Sequence, residues 1–192
     1  MRRTIILDSA HGAEVAGKRS PDGKHREYKW SRERLTAIAA GLKKNGVNVE
    51  WSHIGDNEPG LSNRVAAMNK IAGPAFVFSL HNNAAGSGSV WMNASGNEIW
   101  TCKGQTSSDP FATMIFNGLK AGLPNLTYRS DIRDGDPDKE ENFTVLMSVH
   151  PSALLEWQFQ DNKQDVATLS DPVINRKLEV ILIEVLTQIA RG

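Results

Sequence analysis

Along the chain, short apolar runs alternate with segments in which apolar residues recur at helical spacing. Thr4 to Leu7 is the first run and reads as a buried strand. Ser9 to Arg26 is a loop rich in Gly, Ser, Pro and charge. A helix follows from Tyr28 to Lys44, with Leu35, Ile38 and Leu42 on one face. Asn45-Gly46 stops it, because both residues tolerate the left-handed backbone of a helix end. Val47 to His53 alternates apolar and polar residues as a strand does, and Leu61 to Ile71 is a second helix, broken by Gly73-Pro74. Ala75 to Leu80 is an apolar strand that runs into His81-Asn82-Asn83. Ser89–Met92 and Glu98–Cys102 predict a hairpin around Ser95-Gly96-Asn97. Pro110 to Ala121 is a helix, Asn125 to Asn142 a polar loop, and Ala153 to Trp157 a short strand. In the last helix Leu178, Ile181, Leu182, Val185, Leu186 and Ile189 form one stripe, opened by Asp171 as cap and Pro172 in the first turn.

This alternation predicts an α/β protein with one mostly parallel, mixed sheet and helices on both faces. No repeat, low-complexity tract or linker divides the 192 residues, so one domain over 1–192 is expected. With 40% hydrophobic residues and zero formal net charge, disorder is excluded. The charge balance, 22 basic against 22 acidic residues, argues against a general nucleic-acid binder. The single cysteine, Cys102, excludes an intrachain disulfide framework and a Cys-rich zinc ribbon. No apolar run reaches the roughly 18 residues of a membrane span. The N-terminus has the charged start of a signal peptide, but its apolar run ends at Asp8, so no export signal is expected.

In an open α/β sheet, chemistry gathers at the carboxyl ends of the strands. Here one strand gives Asp8-Ser9-Ala10-His11-Gly12, another Ser79-Leu80-His81-Asn82-Asn83, and a third Leu154-Leu155-Glu156-Trp157. The loop before the first long helix adds Glu14, Asp22, His25 and Glu27. Zinc takes imidazole and carboxylate where thiolates are absent, and a catalytic zinc keeps a position open for water. Two histidines and a carboxylate fill three positions, and a further carboxylate can take the proton of that water. Glu156 stands inside an apolar run, a costly place for a carboxylate that is neither paired nor used. His25, His53 and His150 read as loop or surface residues, Asp8 as a turn cap, and Lys24-His25-Arg26 as a solvated loop. Spacing alone leaves open which loop residue joins the two histidines.

Four blocks of the chain, in order, resemble the zinc-dependent N-acetylmuramoyl-L-alanine amidases of the amidase-3 type. The first is Leu7-Asp8-Ser9-Ala10-His11-Gly12, followed by Gly23-Lys24-His25-Arg26-Glu27 ahead of the helix. The second is the helix with Leu61, Arg64 and Asn69. The third is Ser79-Leu80-His81-Asn82-Asn83-Ala84. The last is Pro151 to Phe159, followed by Asn162, Asp165 and Leu169. The match runs from Thr4 to the final helix. It implies a phosphorylase/hydrolase-like fold, zinc held by His11, Glu27 and His81, and Glu156 as the catalytic carboxylate. It thereby chooses Glu27 over Glu14, Asp22 and His25. The implied reaction is cleavage of the amide between muramic acid and the first L-alanine of the peptidoglycan stem peptide.

Three departures bear on substrate preference. Trp157 follows the catalytic position where the family has a small residue. Gly88-Ser89-Val90-Trp91 lacks the acid of the family's Gly-apolar-Glu segment, and Ser9-Ala10 replaces Pro-Gly. Trp91, Trp100 and Trp157 are candidates for a glycan or peptide groove, or for core positions. The competing readings are a zinc peptidase acting within the stem peptide and a wall-binding or regulatory module with a vestigial site. A bare catalytic domain without a leader fits a bacteriolytic, endolysin-like enzyme held in the cytoplasm until it reaches the wall, or a mature domain of an exported enzyme. The expected partner is peptidoglycan, with no nucleic acid, no membrane span and a monomeric chain. Asn125 to Asn142 is either an ordinary surface loop or a segment controlling access to the site.

Overall fold

The computed structural model describes residues 2–192. In chain order the elements are β1 (Thr4–Ser9), α1 (Glu27–Lys44), β2 (Val49–Trp51), α2 (Leu61–Asn69), β3 (Ala75–Asn83), β4 (Glu98–Thr101), α3 (Asp109–Gly122) and β5 (Lys139–Glu140). A 3-10 turn at Thr144–Leu146 leads to β6 (Ser152–Phe159), α4 (Lys163–Ser170) and α5 (Pro172–Arg191). The strands form one sheet in the order β2-β1-β3-β6-β4-β5. β4 runs antiparallel to β6, and every other pairing is parallel, so the sheet is mixed as expected.

Strand side chains alternate between faces, and the two faces are unequal. Ile5, Leu7, Phe76, Phe78, Leu80, Ala153, Leu155 and Trp157 meet Leu35, Ile38 and Leu42 of α1 and the Leu178, Leu182 and Leu186 stripe of α5. Each Leu, Ile or Phe among them contributes about 1.5–3 kcal/mol when withdrawn from water, so this face supplies most of the hydrophobic stabilisation. A Cβ at Gly41 would lie 2.3 Å from Ile183, which explains how α1 and α5 approach so closely. The other face has two small clusters, Ile6 and Val77 against Met68 of α2, and Leu154 against Val145 and Leu146. Polar groups therefore reach the carboxyl ends of the strands on this second face.

The helix boundaries follow the expected chemistry. Gly46 takes φ 74° just past α1. The Asp171 side chain accepts from the backbone N–H of Val173 and Ile174 at the start of α5.

The expected hairpin does not form. Ser89–Met92 is not a strand, and β4 pairs with β6 instead. The local turn signal is overridden by Asp165, whose carboxylate accepts from Ser95 Oγ and the Gly96 N–H. Met92 N–H donates to the Asp161 carbonyl, away from any β4 partner. The Asn125–Asn142 stretch is not wholly loop, since Lys139–Glu140 adds β5 to the sheet edge. α4 lay outside the sequence expectation; its cap is Asn162, which accepts from Gln164 N and Asp165 N. β2 is shorter than the expected Val47–His53.

Candidate metal centre and active site

The parallel register of β3 and β6 sets His81 opposite Glu156, and the antiparallel register of β4 sets Glu98 on Glu156's other side. His81, Glu156 and Glu98 thus form a row on the sparsely covered face. The β3–β6 ladder shifts register between His81 and Asn83. Gln158 sits there with φ 62°, the left-handed turn of a bulge.

His11 follows β1 with φ 42°, a conformation that His adopts more readily than most residues. Ser31 of α1 fixes this exit: its hydroxyl donates to the Leu80 carbonyl at 2.7 Å and accepts from Ala10 N–H at 3.0 Å. Beneath lies Asp8, which is fully buried and caps no turn. Arg64 of α2, also fully buried, donates from Nε to Asp8 Oδ1 at 2.9 Å and from Nη2 to Oδ2. Ser52 and Ser79 hydroxyls complete the carboxylate's partners. Burial raises the Asp8 pKa, but Arg64 and these hydroxyls outweigh it, and the carboxyl lies below its ordinary value.

Glu27 opens α1, where the helix N-terminus favours an anion. Its Oε1 is 3.0 Å from His81 Nδ1 and 3.5 Å from His11 Nε2. It also accepts from Asn82 N–H at 3.1 Å, and Oε2 accepts from Gln160 Nε2 at 2.8 Å. One donor atom from each of His11, Glu27 and His81 falls within 4.8 Å of the other two. The two imidazoles meet edge to face, centroids 5.0 Å apart. Among the described residues, His81 Nε2 and Glu156 Oε2 are buried atoms without a hydrogen-bond partner.

The electrostatics suit a cation. Burial acts to raise the Glu27 pKa, but His81 and His11 hold it down to about 2, so it is anionic. Burial lowers His11 to about 4 despite Glu27 beside it, leaving a neutral imidazole with a free lone pair. At His81 burial also disfavours charge, but Glu27 prevails and the pKa is raised. Burial lifts Glu156 to about 7, with His81 opposing. Two imidazoles and a buried carboxylate around orphaned polar atoms match the N/O donor set that zinc prefers, so the residues present fit that ion.

The remaining candidates are sorted by position. Glu14 and Asp22 are solvent-side, bonding Glu58 N and Ser20 Oγ. His25 lies in the loop as expected but is buried, with Nε2 2.8 Å from Asn82 Oδ1. His53 contacts Ser52 and Arg32. Asn82 and Gln160 bond Glu27, and His25 bonds Asn82, a supporting role that the sequence assigns to none of the three. Asn82 and Gln160 follow His81 and Glu156 closely in the chain, which was the available signal. Trp157 is wholly buried in the core, whereas Trp100 stacks edge to face on Phe143 at 5.3 Å. An acid does stand beside Glu156: it is Glu98, several residues beyond the segment where one was sought, clamped by Lys139 and Arg129. A cleft of about 330 Å³ opens over His11, His81 and Glu156, walled by Lys18, Leu61, Phe143, Val145 and Leu154.

Over residues 5–187 the chain matches the family model described as N-acetylmuramoyl-L-alanine amidase, Amidase_3. No curated protein matches the sequence. An N-acetylmuramoyl-L-alanine amidase from Clostridium difficile 630 superposes with a TM-score of 0.86 at 21% identity, over 100% of this chain and 98% of that one. The catalytic domain of CwlV, an N-acetylmuramoyl-L-alanine amidase from Paenibacillus polymyxa, gives 0.78 at 23% identity over 97% of both chains. The catalytic domain of the CD27L endolysin, which targets Clostridium difficile, gives 0.69 at 16% identity, again over 97% of both. At these identities the superpositions establish the fold.

Proposed function

This chain belongs to the N-acetylmuramoyl-L-alanine amidase family, and on that premise we propose that it works with zinc held by His11, Glu27 and His81 and with Glu156 as its acid–base group. The reaction is peptidoglycan hydrolysis at the amide between N-acetylmuramic acid and L-alanine. Neither a peptidase acting within the stem peptide nor a non-catalytic module is favoured by that membership.

The observation that carries the proposal is the His81–Glu156 pairing across adjacent strands, with Glu156 lining the cleft beside the three clustered donors and holding a buried, unpartnered oxygen. When bound there, zinc supplies a Lewis acid that polarises a carbonyl and acidifies water. Glu156 takes the proton of the attacking water and returns it to the departing L-alanine amine. Burial of the Glu156 carboxyl favours uptake of that proton. Glu27 holds negative charge between the imidazoles, while Asn82 and Gln160 fix its two oxygens. Leu61, Phe143, Val145 and Leu154 give the cleft apolar lining.

All these groups come from one chain, which supports action as a monomer. We extend the proposal to an endolysin-like, wall-lysing role, tested by clearing of permeabilised bacterial cells. The chemical assignment is tested with Glu156→Gln, which should retain zinc and lose hydrolysis of purified peptidoglycan. Near wild-type turnover in that variant would remove Glu156 from the mechanism.

A further inference from the structure

Among the charged groups that wall the cleft, one has no role in the account above. Lys18 lies in the loop between His11 and Glu27 and borders the same cleft as His11, His81 and Glu156. Its backbone is pinned: the Lys18 carbonyl accepts from Glu27 N–H at 3.2 Å, and the neighbouring Arg19 bridges to Arg26. Its side chain is half-buried. Among the described residues no carboxylate lies within ion-pair distance of its ammonium, and the side chain makes no hydrogen bond. The other cations near the site are committed. Arg64 pairs with Asp8, Arg129 and Lys139 with Glu98, Arg26 with the Ala13 carbonyl, and Arg32 with the His11 carbonyl. The Lys18 charge nevertheless reaches the site, since it favours the anionic forms of Glu27 and Glu156 and disfavours protonation of His11.

With no carboxylate beside it, the Lys18 ammonium keeps its donors free for a group that enters the cleft. The cleft is also lined by the apolar side chains of Leu61, Phe143, Val145 and Leu154, and Lys18 is the one lysine or arginine among its lining residues. The cleft thus combines apolar lining with one cationic group. The proposed substrate offers a partner for each. On one side of the scissile amide stands an uncharged sugar with its lactyl group. On the other stands a peptide whose second residue, a glutamate joined through its side-chain carboxyl, bears a free α-carboxylate or, in some walls, a carboxamide.

We propose that Lys18 is the specificity-determining residue for the peptide side, binding that free α-carboxylate and so selecting stem peptides that carry it over amidated ones. This rests on the amidase reading above. It places the α-carboxylate of the second residue at Lys18. A charge-assisted hydrogen bond of this kind is worth about tenfold in binding.

The test compares two muramyl peptides that differ only in carboxylate or carboxamide at the second residue, using the zinc-loaded full chain. Wild type should favour the carboxylate by about tenfold in kcat/KM, the difference residing in KM. Lys18→Met should abolish the preference, and Lys18→Arg should keep most of it. Equal use of both peptides by wild type would overturn the proposal. So would a Lys18→Met enzyme that keeps the preference while kcat falls for both, which would mark an effect on the reacting amide. If wild type hydrolyses neither peptide, the amidase reading fails, and calorimetric titration of both peptides still decides the role of Lys18. Tighter carboxylate binding that is lost in Lys18→Met supports it, and equal or absent binding overturns it.

Discussion

Replacing Arg64 with Leu should destabilise the protein severely, although Arg64 touches neither the cleft nor the proposed ligands. The side chain is 0% exposed and gives Asp8 two hydrogen bonds and the Ser9 carbonyl a third at 2.6 Å. Without it, Asp8 stays buried with only the Ser52 and Ser79 hydroxyls. Breaking a buried pair by removing one partner costs about 3–5 kcal/mol. At roughly 2–4 °C per kcal/mol for a chain of this size, the melting temperature should fall by about 6–20 °C at pH 7. Thermal unfolding followed by circular dichroism measures this directly. The double variant Asp8→Asn/Arg64→Leu removes both charges of the fully buried pair and should recover part of the loss, so the two substitutions should be strongly non-additive. The pH dependence has a definite sign. The Asp8 pKa is depressed in the fold, so its contribution is fully present above the free value of about 3.9 and is lost as pH falls through the folded value. The gap between wild type and Arg64→Leu should therefore narrow in acid. A fall below about 2 °C, within the range of an exposed ion pair, or additivity of the two substitutions, would refute the reasoning.

The other predictions concern the site and the sheet edge. Glu156→Gln should lower kcat by about 10²- to 10⁴-fold with zinc stoichiometry unchanged, as read by elemental analysis beside a turnover assay. Gln160→Leu removes the partner of Glu27 Oε2 and should weaken zinc affinity about 10- to 100-fold in a competing-chelator titration. Asp138, beside β5, has its pKa pushed up to about 7 by burial and by Asp136. The fold favours its protonated form, so its contribution is present at low pH and is lost as pH rises through about 7. Asp138→Asn should consequently melt above wild type at pH 8, with the difference narrowing steadily toward pH 4.

The parts of the fold that were legible are those fixed by local pattern. The apolar runs of β1, β3 and β6, the α5 stripe and the Asp171 cap all announce themselves within a few residues. His11, His81 and Glu156 were found because they end or interrupt such runs. Glu27 was different: Glu14, Asp22 and His25 share its loop, and only the docking of α1 against β3 brings Glu27 to His81. The Asp8–Arg64 pair joins groups 56 residues apart and leaves no local trace, so Asp8 read as a turn cap. The hairpin expectation trusted the turn residues Ser95-Gly96-Asn97, which Asp165 diverts from 69 and 70 residues away. Trp157 was decidable from sequence after all. If Glu156 faces the site, strand alternation puts Trp157 on the opposite face, in the core.

The central claim is that this chain hydrolyses the muramoyl–L-alanine amide through a metal held by His11, Glu27 and His81. Its most direct test is product analysis on purified peptidoglycan with metal-stripped and zinc-restored protein. The account predicts that new L-alanine amino termini appear without new reducing sugar ends, vanish on metal removal, and return with stoichiometric zinc in wild type but not in Glu27→Ala. Undiminished release by stripped protein, or amino termini other than L-alanine, would contradict it.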